Sequence, residues 1–177
     1  MGAEILSWLT WLHGDLEGLM ADFDALSRPL QPTVLDDLGL SQAIGSECAR
    51  QHGPTDAQVA FMSPELSPQP SSSIGLAFFR ITQESIRDAI KRAKPSKVEV
   101  RLDQIDSQLR LSVVDDGDGF EMKDGRHDSS AGLDLVSMRE RARPMGAVFR
   151  MSSAPGSGTQ VTVEVSLEPQ SNSPTAP

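Results

Sequence analysis

Apolar residues recur through the first 27 positions at alternating spacings of four and three: Ile5, Leu9, Leu12, Leu16, Leu19, Phe23 and Leu26. That heptad seam predicts a helix over Met1–Ser27. Leu6, Trp8, Trp11 and Met20 widen its apolar face. The pattern suits an amphipathic helix lying on its own domain's core, but its regularity favours another helix as partner. Gly14 and Gly18 in its interior cost about 1 kcal/mol each relative to alanine, so packing must support it. Pro29 and Pro32 end this helix and open a connector over Arg28–Leu40.

A second helical stretch is expected over Ser41–His52, ending at Gly53-Pro54, and Ala57–Met62 alternates like a strand. Ser63–Ser73 is rich in proline and serine and reads as a loop. Ile74, Ala77, Phe78, Ile81, Ile86, Ala89, Ile90 and Ala93 then recur at helical spacing up to Pro95. Lys97–Leu102 and Gln108–Val114 alternate and predict an antiparallel strand pair. Gly117–Ser130 is glycine- and aspartate-rich and expected to be mobile. Leu133–Met145 reads as a helix, and Ala147–Ser152 with Gln160–Leu167 as a final strand pair around the turn Ala154–Gly158. Helices covering one face of a mixed, mostly antiparallel sheet make this an α+β two-layer sandwich. The expected organisation is a helix over 1–28, a connector with a first domain helix over 29–53, a sandwich over 54–167 and a disordered tail over 168–177.

At 177 residues the chain has room for one core and an accessory element. Sixteen basic against 25 acidic residues leave a net charge of −9. That excess argues against nucleic acid or an anionic membrane as main partner, since phosphate contacts need clustered Lys and Arg. It leaves room for a nucleotide held by backbone N–H groups and a metal. Cys48 is the sole cysteine, which excludes an internal disulfide and fits a reducing cytoplasm. The longest apolar run near the start, Ile5–Leu12, is too short to span a bilayer.

Four elements can carry chemistry. Glu84, Arg87, Asp88 and Lys91 lie three or four apart and share one polar helix face; alone, this is a solvated face with ion pairs. Asp115-Asp116-Gly117-Asp118-Gly119 places a carboxylate at a strand end before glycines that admit a ligand; alone, it is a turn. Ala131-Gly132-Leu133 opens a helix whose free N–H groups can face phosphate. Gly156-Ser157-Gly158-Thr159 precedes the last strand and would otherwise be a plain hairpin turn.

Together and in this order they resemble the N, G1, G2 and G3 boxes of the GHKL (Bergerat-fold) ATPases. The resemblance runs over roughly Pro29–Leu167 and points to the sensor histidine kinases that work with NarL-type response regulators. The segments that carry it are RPLQPTVLDDLGL, ITQESIRDAIKRAKPSKVEVRL, GLDLVSMRERA and APGSGTQVTVEVSL. The resemblance implies Mg·ATP binding and phosphoryl transfer to histidine. It makes Glu84 the acid that orients the attacking group, Asp88 the Mg²⁺ ligand, and Lys91 a phosphate contact. It makes Asp115 the acceptor for the adenine amino group, with Gly117 and Gly119 allowing close approach. Thr159 completes the adenine pocket, and Gly132 and Leu133 lie at the phosphate-facing turn of the lid.

The sequence departs from that pattern in three places. Asp88 stands where the family has Asn, and a carboxylate still suits a hard cation. Asp134 replaces the second glycine of G2 and brings negative charge toward the triphosphate. No phosphoacceptor histidine stands where the family has one: His13 lacks the flanking charges, and His52 and His127 lie in loop-like segments. The leading expectation is a kinase catalytic domain acting on a histidine supplied by another chain, or lost from this one. The alternative is a degenerate pseudokinase serving as a non-catalytic interaction module; a serine kinase of the anti-sigma-factor type is a remoter reading. Expected partners are a second copy or a complete histidine kinase, through the N-terminal helix, and a NarL-type regulator.

Overall fold

The computed structural model describes residues 33–52, 57–121 and 131–168, without the side chains of 33–34, 52 and 131–135. The N-terminal heptad helix, His13, the lid segment with His127 and the tail from 169 lie outside the described residues. From Val34 onward the described elements belong to one compact unit.

The elements run α1 (Thr33–Leu38), α2 (Leu40–His52), β1 (Gln58–Met62), α3 (Ser72–Asp88), β2 (Lys97–Ile105), β3 (Gln108–Asp115), α4 (Ala131–Ala142), β4 (Val148–Ser153) and β5 (Thr159–Ser166). The expected connector is therefore helical in its second half, and Gly39, at φ +83°, breaks α1 from α2. His52 closes α2 instead of lying in a loop. The long helix begins at Ser72 and changes at Ala89–Ala93 into a π-helical turn, ended by Lys94 in the left-handed region before Pro95. Such turns are rare in regular helices and often lie at functional sites. A 3₁₀ turn, Arg143–Met145, follows α4.

The strands form one sheet in the order β1-β2-β3-β5-β4. β1 pairs parallel with β2 and every other pair is antiparallel. A parallel pair needs a crossover connection, and the crossover from β1 to β2 is α3. Its C-terminal end must therefore lie at the start of β2. Because β3 runs back antiparallel, Val98 pairs with Asp115, and Asp115 in turn pairs with Thr159. Three chain ends thus converge at one edge of the sheet: the end of α3, the end of β3 and the start of β5.

Alternation sets what lines the core. Val98, Val100 and Leu102 on β2, Leu109, Leu111 and Val113 on β3, and Val161, Val163 and Val165 on β5 are all buried. Across the sheet they form apolar rows, such as Leu102–Leu111–Val163–Phe149. Phe78, Ile81 and Ile86 from α3 and Leu40 and Ile44 from α2 pack into this core. Each fully buried large side chain contributes about 1.5–3 kcal/mol. From α4, Met138 and Ala142 join them, and the Arg139 guanidinium lies 5.9 Å from the Phe149 ring centre. Burial pushes the Cys48 thiol up to about 12, so it stays protonated. The opposite sheet face is polar: Glu164 pairs with Arg110 at 3.5 Å and with Arg150 at 2.6 Å.

Asp116 clamps the edge where the three ends meet. One carboxylate oxygen accepts the Ser96 and Lys97 N–H groups, each at 2.8 Å, and the other accepts the Ser96 hydroxyl. The Ser96 hydroxyl and these amides hold its carboxyl below the usual carboxylate range. A depressed folded-state value stabilises the fold above the unfolded-state pKa, and that stabilisation fades as pH falls through the folded value. Asp116→Asn is expected to be less stable than wild type at neutral pH. Denaturant melts at a series of pH values should show the gap closing only in acid, below the ordinary aspartate range.

Candidate nucleotide site

The core-facing parity of the strands does not stop at the apolar rows. Asp115 continues the inward series Leu109, Leu111, Val113, and Thr159 begins the inward series Val161, Val163, Val165. The last row of that face is Val98–Asp115–Thr159–Ser153, polar in three of its four positions. Asp115 is only 7% exposed. Burial raises its pKa, the N–H groups of Gly117 and Thr159 draw it back, and the neighbouring Asp116 charge adds to the rise. The Gly117 N–H lies 3.0 Å from one carboxylate oxygen. A buried acid with acceptor capacity left over is suited to a ligand's N–H group.

Ser153 organises the rest of the row. Its hydroxyl donates to the Gly158 carbonyl at 2.9 Å and accepts the Phe120 N–H at 3.0 Å. With its single hydrogen used, the 3.0 Å contact to Thr159 must have the threonine hydroxyl as donor. Thr159 therefore offers a ligand lone pairs. Asp115 and Thr159 together present acceptors, as an exocyclic amino group requires.

Glycines let the backbones close around this row. A Cβ on Gly117 would stand 2.3 Å from the Ala93 carbonyl oxygen, and one on Gly158 only 1.9 Å from that of Asp115. Gly119 is packed as closely on the Ala154 carbonyl. The Ala93 carbonyl, in the π turn, accepts the Asp118 N–H at 2.8 Å, and the Asp118 carbonyl accepts the Gly156 N–H at 2.6 Å. The loop after β3 is thus bonded to both the end of α3's π turn and the β4–β5 turn.

The expected residues fall into three groups. Asp115, Gly117, Gly119 and Thr159 come together. Glu84 and Asp88 on α3 and Lys91 in the π turn run toward the same edge, with Lys91 exposed two residues before Ala93. Glu84 is half-buried and pairs with Arg87 at 3.0 Å. Asp88 pairs with Arg92 at 3.7 Å. Gly132, Leu133 and Asp134 lie at the start of α4, in the stretch whose side chains are outside the described residues. Sequence reasoning missed Ser153, Asp116 and Ala93. Only the strand register reveals Ser153, and only the π turn reveals Ala93. A cavity of about 390 Å³ lies elsewhere, at the N-terminal end of α3, between Leu35–Leu40 and Gln69–Gly75.

The sequence profile of the histidine kinase-, DNA gyrase B- and HSP90-like ATPases matches residues 74–169. The chain belongs to that family. The match spans α3 to β5, and so contains every element that builds this edge of the sheet. Among its relatives is the sensor histidine kinase LiaS of Bacillus subtilis, 36% identical over 148 residues. That alignment takes in 82% of this chain but 39% of LiaS, so the chain spans about two fifths of that relative. Among solved structures, the histidine kinase domain of the blue-light activated kinase of Erythrobacter litoralis EL346 superposes with a TM-score of 0.58 at 18% identity, covering 72% of this chain and 61% of that one. The mycobacterial sensor histidine kinase MprB gives 0.53 at 22% identity, over 73% and 95%. The α+β sandwich of this GHKL ATPase chain, with its open five-stranded sheet, is the fold those structures share. No helix among the described residues is long and apolar enough to cross a membrane.

The glycine contacts distinguish close packing from open space. Gly117→Ala is expected to destabilise the fold by about 1–3 kcal/mol, because backbone must move to admit the methyl group. Gly75→Ala, whose Cβ would meet only Leu35 at 3.5 Å, should be neutral or up to about 1 kcal/mol stabilising in its helix. Thermal melts of both variants check the contrast.

Proposed function

We propose that the row Asp115–Thr159 and the polar face of α3 bind Mg·ATP, and that the site passes the γ-phosphoryl group to a histidine of another polypeptide. The observation that carries this reading is the buried Asp115 carboxylate, held by the Gly117 N–H with acceptor capacity to spare, inside a GHKL ATPase domain. Asp115 accepts from the adenine amino group, while the Thr159 hydroxyl, its hydrogen committed to Ser153, presents lone pairs beside it. A guanine carbonyl would meet acceptors at the same place, so the site favours adenine.

Asp88 supplies a hard oxygen donor that fits Mg²⁺, and the bound ion would neutralise charge on the triphosphate. Glu84 lies one turn earlier on the same helix, where it orients the incoming nucleophile and accepts its proton. Lys91 is exposed and reaches toward phosphate. The free N–H groups that open α4, around Gly132 and Leu133, face the same end of the nucleotide. Positioning and charge neutralisation account for most of such a transfer. The family match and the LiaS relationship support this reading over a non-catalytic module. The heptad seam of Met1–Ser27 supports pairing with a second copy or a complete kinase, and the resemblance of the connector supports a NarL-type regulator as the next acceptor.

Titration with a fluorescent ATP analogue in Mg²⁺ tests the site. Wild type should bind in the micromolar range and prefer ATP to GTP in competition. Asp115→Asn should bind about ten- to a hundredfold more weakly, since it offers one acceptor oxygen in place of two and places an amide donor against the adenine amino group. Absence of wild-type binding contradicts the proposal.

A further inference from the structure

Glu47 is a carboxylate buried in the protein's interior that the phosphoryl-transfer reading does not use. It lies on α2, is 4% exposed, and carries three donors. Arg50 and Gln51, from its own helix, bind it from the solvent side. The third donor comes from the neighbouring helix: the Gln83 side-chain amide donates to Glu47 Oε2 at 3.1 Å. The Gln83 carbonyl oxygen in turn accepts from Arg80 at 3.1 Å. Gln83 immediately precedes Glu84.

Against the core α3 packs apolar side chains, whose contacts are non-directional and tolerate small rotations about the helix axis, and its π-helical end is tied to the loop after β3 by the bond from the Asp118 N–H to the Ala93 carbonyl. The internal bonds at its buried face do not change this, because Thr82 bonds back to the Phe78 carbonyl of the same helix. A further polar link, from the Ser85 hydroxyl to the Met138 sulfur at 3.4 Å, is weak. The charge-assisted bond from Gln83 to Glu47 is directional, and a buried carboxylate that loses a donor is costly.

We infer that Glu47 is a positioning residue for the nucleotide site: through Gln83 it fixes the rotation of α3 about its axis, and so the direction in which Glu84 and Asp88 face. The inference rests on the proposed role of that helix face toward Mg·ATP. It has a specific signature. The adenine side of the site is carried by β3 and β5, whereas the hydrogen-bond partners of Glu47 are Arg50, Gln51 and Gln83. The Mg²⁺ and phosphate side is carried by α3. Disturbing the Glu47–Gln83 bond should impair the second and spare the first.

The experiment measures the affinity of the full chain for a fluorescent ATP analogue with Mg²⁺ and with EDTA, for wild type and variants. Gln83→Glu sets two carboxylates against each other. It is expected to reduce the Mg²⁺-dependent gain in affinity about tenfold while leaving the Mg²⁺-free affinity within about twofold. The exchanged pair, Glu47→Gln with Gln83→Glu, restores an amide donor facing a carboxylate, with Arg80 beside the relocated charge, and should recover most of the gain. Circular dichroism melts identify any variant that fails to fold, and the exchanged pair then carries the test. The inference is overturned if folded Gln83→Glu keeps the wild-type Mg²⁺ gain, if both affinities fall together, or if the exchanged pair does not recover. A wild type that binds no analogue in either buffer overturns the nucleotide reading itself, and with it this inference.

Discussion

A carboxylate at the margin of an apolar core is costly unless hydrogen bonds hold it, and the whole described architecture bears on how Asp115 is held. Strand alternation forces its side chain inward. The antiparallel register sets Thr159 beside it and Ser153 beyond. The Gly117 N–H reaches it because the chain turns sharply after β3, and that turn fits because Gly117 and Gly158 have no side chains. The Gly117 and Thr159 N–H groups satisfy part of the buried carboxyl group. Those backbone groups leave acceptor capacity on Asp115, which in the proposed reading receives the adenine amino group.

The crossover topology does the complementary task. Because β1 and β2 are parallel, α3 must return to the start of β2, which delivers its polar end to the edge where Asp115 sits. The π turn then widens the helix at Ala89–Ala93 and presents the Ala93 carbonyl to the loop after β3. Strand and helix are thereby joined through a backbone hydrogen bond, and Glu47 adds a side-chain anchor on the other flank of α3. In the proposed reading, base recognition lies on the sheet and phosphate chemistry on the helix, and the backbone bond between Asp118 and Ala93 ties the two together at the loop.

Much of this was legible in the sequence because the signals are periodic. The alternation in Lys97–Leu102 and Gln108–Val114 specified the strands, and the helical spacing from Ile74 to Ala93 specified the crossover helix. The four glycine- and acid-bearing motifs gave the site its order. What the sequence withheld depends on register and local backbone geometry. Ser153 carries no motif of its own; it matters because it pairs with Thr159. Asp116 looked like half of a turn, but its two oxygens close the sheet edge at Ser96 and Lys97. The short α1 was hidden by the prolines of the connector, because a helix can begin directly after Pro32.

The account stands on the convergence of strand and helix residues around one adenine nucleotide. Backbone amide shifts of labelled protein, followed while a non-hydrolysable ATP analogue is added with Mg²⁺, test that convergence directly. The account predicts that Asp115–Gly119, Thr159 and Glu84–Ala93 move together along one binding isotherm. Shifts confined to the cavity around Leu35–Leu40 and Gln69–Gly75, with Asp115 and Thr159 unmoved, would contradict it.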